Sequence, residues 1–170
     1  MPEAAEPPRR ILLTGASGFV GRHLRTALAT AYPDAALVTD AFDLRDGEAV
    51  AASVAAVQPD VCIHLAAVAT LAAARQDEAR TWNVNLHGSL RLAHALLQHA
   101  PGCHMLFVSS ADAYGGAGLT SAPIDEDVPL APKNLYAATK AAADLALGSM
   151  TGQGYEPTRR YPRQVEFRDA

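Results

Sequence analysis

The stretch Gly15-Ala16-Ser17-Gly18-Phe19-Val20-Gly21, entered directly from the apolar run Ile11-Leu12-Leu13-Thr14, constrains this chain more than any other segment. An apolar run that meets glycines and then apolar residues at helical spacing predicts a strand turning sharply into a helix. Without Cβ atoms at Gly15 and Gly18 the backbone can approach an anion closely. The amides that open the following helix then aim the positive end of its dipole at that anion. The expected ligand is a pyrophosphate, with Gly15, Ser17, Gly18, Phe19, Val20 and Gly21 as the candidate cofactor loop. The spacing is Gly-x-x-Gly-x-x-Gly, not the commoner Gly-x-Gly-x-x-Gly, and a plain glycine turn is the competing reading.

Strand and helix signals alternate beyond this point. The helix opened by Phe19 should run to Ala31, ahead of Pro33, and a second strand covers Ala36 to Thr39. Phe42-Asp43-Leu44 makes at most a vestigial third strand. An alanine-rich helix from Asp46 to Val57 ends at Gln58-Pro59, and a buried strand follows from Val61 to Leu65. A long helical region from about Arg75 to Ala100, with a break near Asp77, puts Leu86, Leu90, Ala93 and Leu97 on one face. Pro101-Gly102 ends it, His104 to Ser109 is the next strand, and Asn134 to Met150 is a last helix after a Gly-rich loop at 115–118 and the acidic turn Asp125-Glu126-Asp127. This alternation predicts an α/β fold, a Rossmann-type doubly wound parallel sheet. Residues 1–9 read as a flexible arm, 10–150 as the Rossmann domain and 151–170, rich in Arg, Pro and Gly, as an irregular tail.

Composition narrows the class. In 170 residues, 49% are apolar and 19% charged, which suits one domain with a full core and argues against disorder. A net charge of −4 without a basic block gives no footprint for nucleic acid or an anionic membrane. Cys62 and Cys103 belong to no metal-type pair and read as reduced, buried thiols. The six histidines show no metal spacing, so no metal is expected. With neither a signal peptide nor a long apolar span in evidence, the expected location is the cytoplasm.

Two clusters carry chemistry. Tyr136-Ala137-Ala138-Thr139-Lys140 sets a phenol and an ammonium four residues apart on one helix face, and a nearby cation favours phenolate, as an acid/base tyrosine requires. The pair could also be a surface accident, but the chain has twelve arginines and only two lysines, so Lys is not its ordinary surface cation. A compact ammonium also suits a ribose hydroxyl better than a guanidinium fork does. Ser110, in Val108-Ser109-Ser110-Ala111-Asp112-Ala113-Tyr114-Gly115, stands at the carboxyl end of a strand, where open α/β sheets bind ligands, or else bonds its own turn. Asp40 follows Gly21 at the separation of a ribose-gripping acid, which favours NAD because a carboxylate repels the extra phosphate of NADP; NADP stays open. Asp43 and Leu44 could cover the adenine.

Together these motifs resemble the extended short-chain dehydrogenase/reductases, the nucleotide-sugar epimerase/dehydratase group, over roughly residues 10–150. The matching pieces are Thr14-Gly15-x-x-Gly18-Phe19-Val20-Gly21, Asp43-Leu44, His64-Leu65-Ala66-Ala67, Asn85-x-x-Gly88-Ser89, Ser109-Ser110 before Tyr114-Gly115, and Tyr136-x-x-x-Lys140. The resemblance implies that Tyr136 is the acid/base, that Lys140 holds the nicotinamide ribose and that Ser110 orients a sugar oxygen. It further implies that Asn85 supports the active-site framework and that Leu65, Ala66 and Ala67 line the cofactor. Ser110-Ala111-Asp112 looks nearest to the GDP-mannose 4,6-dehydratase and GDP-4-keto-6-deoxy-mannose reductase branch, with Asp112 at an acidic position of the site. The dehydratases have Thr and Glu there, which favours reductase or epimerase chemistry on a nucleotide-sugar. Members of the group carry a further half that grips the sugar, so the substrate domain is expected to be missing, as from a truncated or frameshifted reading frame. Two functions follow as expectations: a sugar-nucleotide oxidoreductase, or a dinucleotide-binding module with little turnover. A homodimer through the helices at about 75–100 and 134–150 is also implied.

Overall fold

The computed structural model describes residues 6–39, 42–116, 124 and 128–150. The expected tail at 151–170, most of the arm, Asp40, part of the Gly-rich loop and the acidic turn at 125–127 lie outside them. Four parallel strands form one sheet: β1 (Arg10–Thr14), β2 (Ala36–Val38), β3 (Val61–His64) and β4 (His104–Phe107), in the order β2-β1-β3-β4. Ile11 pairs with Leu37 on one side and Val61 on the other, and Cys62 with Met105.

Alternation along β1 divides the core, because successive strand side chains point to opposite faces. Leu12 joins Cys62, Met105 and Phe107 against α2 (Gly47–Val57), α5 (Ser89–His99) and α6 (Leu135–Met150). Ile11, Leu13 and Ile63 face the other way and pack with Ala16, Leu24 and Leu28 at and beyond the start of α1 (Phe19–Ala31). Helices therefore cover both faces, and the doubly wound prediction holds. On the α1 side the cover is thinner at β4, where Leu106 keeps 38% of its surface.

Two expectations change. Phe42-Asp43-Leu44 forms no strand. The Asp43 carboxylate accepts from the Arg45 amide at 2.9 Å and pairs with the Arg45 guanidinium, while the Asp46 amide donates to the Asp43 carbonyl at 2.9 Å, so the backbone is folded on itself. Asp46 then caps α2, its Oδ1 accepting from the Glu48 and Ala49 amides at 3.0 Å. The long helix starts earlier than Arg75 and is four segments: α3 (Leu71–Gln76), α4 (Glu78–Trp82), a wider π-helical segment over Asn83–Gly88, and α5. The break falls at Asp77 as expected, since its carboxylate accepts from the Arg80 amide at 2.8 Å and so starts a new helix. No described helix is long and apolar enough to cross a membrane.

Candidate dinucleotide and proton-transfer site

The chain leaves β1 for β2 on one side of the sheet and for β3 on the other, so a crevice opens beyond the carboxyl ends of β1 and β3, the usual ligand position in such folds. A cleft of about 660 Å³ lies there. Eleven of the sequence-derived cofactor residues line it: Gly15, Ser17, Gly18, Phe19, Val20 and Gly21 from the first crossover, Asp43 and Leu44 after β2, and Leu65, Ala66 and Ala67 after β3. Phe42, Arg45, Val68, Ala69, Arg80 and Val84 complete the lining, and sequence reasoning found none of them for this role. Arg80 lies far from the loop in sequence; only its place in the motif-free run before Asn85 could have drawn attention to it.

The first crossover has the form an anion requires. Gly15 stands at φ +72°, a conformation costly for any residue with a Cβ, and a Cβ there would lie 2.6 Å from the Ala66 amide nitrogen. At Gly21 a Cβ would overlap the Gly15 carbonyl oxygen and come within 2.7 Å of Ala16 Cα. Gly15 and Gly21 thus let β1, the crossover after β3 and the start of α1 close on one another. Gly18 is exposed at the helix start, no side chain caps α1, and no acidic residue occupies its first turn. The first amides of α1 are accordingly left for an anion. Gly21→Ala is expected to lower stability by about 1–3 kcal/mol through overpacking against backbone, and Gly18→Ala by less; equal urea midpoints for the two variants would contradict this account.

The proton-transfer candidates sit on the other side of β3. Lys140 is 3% exposed, and its ammonium lies 4.1 Å from the centroid of the Phe107 ring, a cation–π contact at the end of β4. Burial lowers the Lys140 pKa to about 8, with Asp144 opposing the fall. Phe107 as the seat of this ammonium is invisible in the sequence, where it reads as one more core residue. Tyr136 is half-buried one turn earlier on α6. Ser110 Oγ accepts from the Asp112 amide at 3.2 Å and so caps the 3₁₀ turn Ala111–Tyr114, the local role weighed against substrate binding; Asp112 itself is exposed. None of Ser110, Asp112, Tyr136 and Lys140 lines the cleft. Among the described residues, Ser109 Oγ and Tyr114 Oη are buried without a hydrogen-bond partner, which is uncommon outside functional sites.

Asn85 joins the two halves. It is 1% exposed on the π-helical segment, its Oδ1 accepts from the Val68 amide at 2.8 Å, and its Nδ2 donates to the Val68 carbonyl and, at 2.9 Å, to Thr139 Oγ1. Thr139 Oγ1 donates in turn to the Tyr136 carbonyl at 2.8 Å. The cleft wall at Val68 is thereby stitched to α6 between its tyrosine and its lysine. In the cleft lining the paired Arg45 guanidinium lowers the Asp43 pKa to about 2. No described group of His, Cys, Asp and Glu could hold a metal.

Residues 11–157 match the model of the NAD dependent epimerase/dehydratase family. This chain belongs to that family. GDP-6-deoxy-D-mannose reductase of Pseudomonas aeruginosa is 38% identical over 138 residues, covering 80% of this chain and 45% of that one. dTDP-4-dehydrorhamnose reductase of Streptomyces griseus is 34% identical over 142 residues, with 83% and 45% covered. Among solved structures, RMD from Pseudomonas aeruginosa complexed with NADPH superposes with a TM-score of 0.75 at 34% identity over 86% of this chain and 50% of that one. UDP-glucose 4-epimerase from Thermus thermophilus in complex with NAD gives a TM-score of 0.75 at 29% identity, with 86% and 51% covered. This epimerase/dehydratase family member thus spans about half the length of the relatives it matches. The GDP-6-deoxy-D-mannose reductase among them agrees with the branch that Ser110-Ala111-Asp112 suggested.

Proposed function

We propose that this chain binds a nicotinamide dinucleotide in the cleft and uses it for oxidoreduction at a sugar carbon of a nucleotide-sugar, reductase chemistry foremost. The observation that carries this reading is the stitch from Val68 through Asn85 to Thr139, which ties the cleft wall to the helix bearing Tyr136 and Lys140. The amides after Gly15 and Gly18 would hold the pyrophosphate, Leu65, Ala66 and Ala67 the flank of the nucleotide, and Lys140 the nicotinamide ribose. When bound, the dinucleotide gives or accepts the hydride. Tyr136 moves the proton at the sugar oxygen, and Ser110 leaves its capping bond to orient that oxygen. NADP and NAD are both within this reading: Arg45 and Arg80 line the cleft, and relatives with either dinucleotide have the same fold. A homodimer through α6 and the α3–α5 run, which carry the exposed Leu145 and Leu71, belongs to it and is read by light scattering.

The second reading is a dinucleotide-binding module with little turnover. It is favoured by the cleft itself, which is lined mostly by loop residues and by none of Ser110, Asp112, Tyr136 and Lys140. Fluorescence titration with NADH and NADPH, followed by assay of GDP- and dTDP-linked 4-ketosugars, separates the two. Binding with conversion is expected; binding without conversion leaves the module, and absence of binding to both dinucleotides removes both readings.

A further inference from the structure

Beneath the cleft runs a line of buried polar atoms that the chemistry above does not use. His64, at the end of β3, is 1% exposed and lies between two hydroxyls: Thr14 Oγ1 is 2.6 Å from its Nδ1, and Ser89 Oγ is 2.9 Å from its Nε2. Ser89 Oγ is also 2.7 Å from the Asn85 carbonyl oxygen, and Thr14 Oγ1 is 3.3 Å from the Ala66 amide nitrogen. For a neutral ring these contacts admit one proton arrangement. A carbonyl cannot donate, so the Ser89 proton goes to Asn85, and Ser89 must accept from Nε2–H. Nδ1 is then bare and accepts the Thr14 proton, which leaves the Thr14 oxygen to accept from the Ala66 amide. The opposite tautomer would direct the Ser89 proton to Nε2 and leave two oxygens 2.7 Å apart with no proton between them.

We propose that His64 is a positioning residue, locked as the neutral Nε2–H tautomer, that ties the crossover carrying Ala66 to the turn carrying Asn85 and so sets how tightly the cleft holds a dinucleotide. Ala66 lines the cleft and Asn85 fixes Val68, which lines it too, so both ends of the relay reach the binding surface. The neutral ring also suits its surroundings. The Phe107 ring centroid is 5.9 Å away, and the ring carries the Lys140 ammonium on it, so an imidazolium would add a second buried charge near the first. The binding half of this inference rests on the dinucleotide reading above; the tautomer does not.

The test uses the full chain with ¹⁵N-labelled histidine. Two-bond proton–nitrogen spectra, with the His64 ring identified by its loss in His64→Gln, should report a protonated Nε2 and a bare Nδ1, unchanged across about pH 5–8 where free histidine titrates. An Nδ1–H ring, or one that takes a second proton in that range, overturns the tautomer. For the binding half, His64→Asn keeps an acceptor where Nδ1 stands, His64→Gln keeps a donor where Nε2 stands, and His64→Leu keeps neither. Titration with NADH and NADPH should give a Kd weakened about tenfold for Leu and about two- to threefold for Asn and Gln. Wild-type affinity in a folded Leu variant overturns the positioning role; should that variant not fold, wild-type affinity in both Asn and Gln does so. A wild-type chain that binds neither dinucleotide brings down the functional reading and this binding role together, while the spectra still decide the tautomer.

Discussion

Tyr136→Phe is expected to slow ketosugar reduction by about 10²–10⁴-fold while leaving dinucleotide affinity nearly unchanged. The substitution removes one hydroxyl from a half-buried ring and keeps the ring's volume, so α6 has no reason to repack. Its neighbours are held independently of that hydroxyl: Thr139 bonds the Tyr136 carbonyl rather than its side chain, and Lys140 rests on Phe107. In the proposed reaction the group lost is the proton donor in the transition state, and a group acting only there lowers turnover and leaves ground-state binding intact. Dinucleotide binding by fluorescence and turnover by absorbance, measured on one preparation, read both quantities. Unchanged turnover would remove Tyr136 from proton transfer, and a parallel loss of binding would make it a structural residue of the cleft.

Acidification should cost this fold more than any exposed carboxylate can account for. Burial, with Lys140 adding to it, lowers the His64 pKa from 6.5 to about 3. A base with a depressed folded pKa is neutral in the native state while the unfolded chain holds a proton, so the unfolded state is favoured as pH falls from 6.5 toward 3. The full gap is worth about 4–5 kcal/mol at ~1.4 kcal/mol per unit, and roughly half of it should be lost by pH ~4.5. The carboxylates of Asp43 and Asp60 also titrate low, through their bonds to Arg45 and to the Arg9 and Arg10 backbone, and they add to the loss only at the acid end of the range. Urea unfolding at neutral and mildly acid pH, for wild type and His64→Gln, isolates the histidine. Wild type should lose stability across that interval and the variant should stay nearly flat; two parallel curves would show that His64 is not the group responsible.

Much of the cleft was legible before any coordinates. Gly15, Ser17, Gly18, Phe19, Val20 and Gly21, with Leu65 to Ala67 and the Asp43-Leu44 pair, are legible in the sequence and all line it, because a glycine crossover after an apolar run is a local pattern with a local cause. The vestigial strand at Phe42 went the other way. Its residues are apolar enough for a strand, but the side-chain bonds of Asp43 to Arg45 compete with a ladder, and no strand partner lies beyond β2 among the described residues. The π-helical segment was equally hidden. Its apolar spacing is that of an ordinary helix, and it is pinned by Arg91, whose guanidinium reaches the Asn83 side chain at 2.9 Å and the Leu44 carbonyl at 3.3 Å, the second contact from another part of the chain.

His64 marks the boundary between the two kinds of knowledge. As a sequence residue it was a histidine on a buried strand, and that burial stands. Its tautomer depends on Thr14 and Ser89, fifty and twenty-five residues away, just as the attachment of α6 depends on Asn85 and Thr139, separated by fifty-four. The sequence by itself determined the order of strands and helices, the glycine crossover after β1 and the placing of Tyr136 and Lys140 one turn apart on one helix, because backbone preference, hydrophobic period and glycine geometry act over a few residues. Tertiary structure alone decided which polar atoms meet, for a hydrogen bond needs positions matched to a fraction of an ångström, and only the packed sheet and its helices supply them.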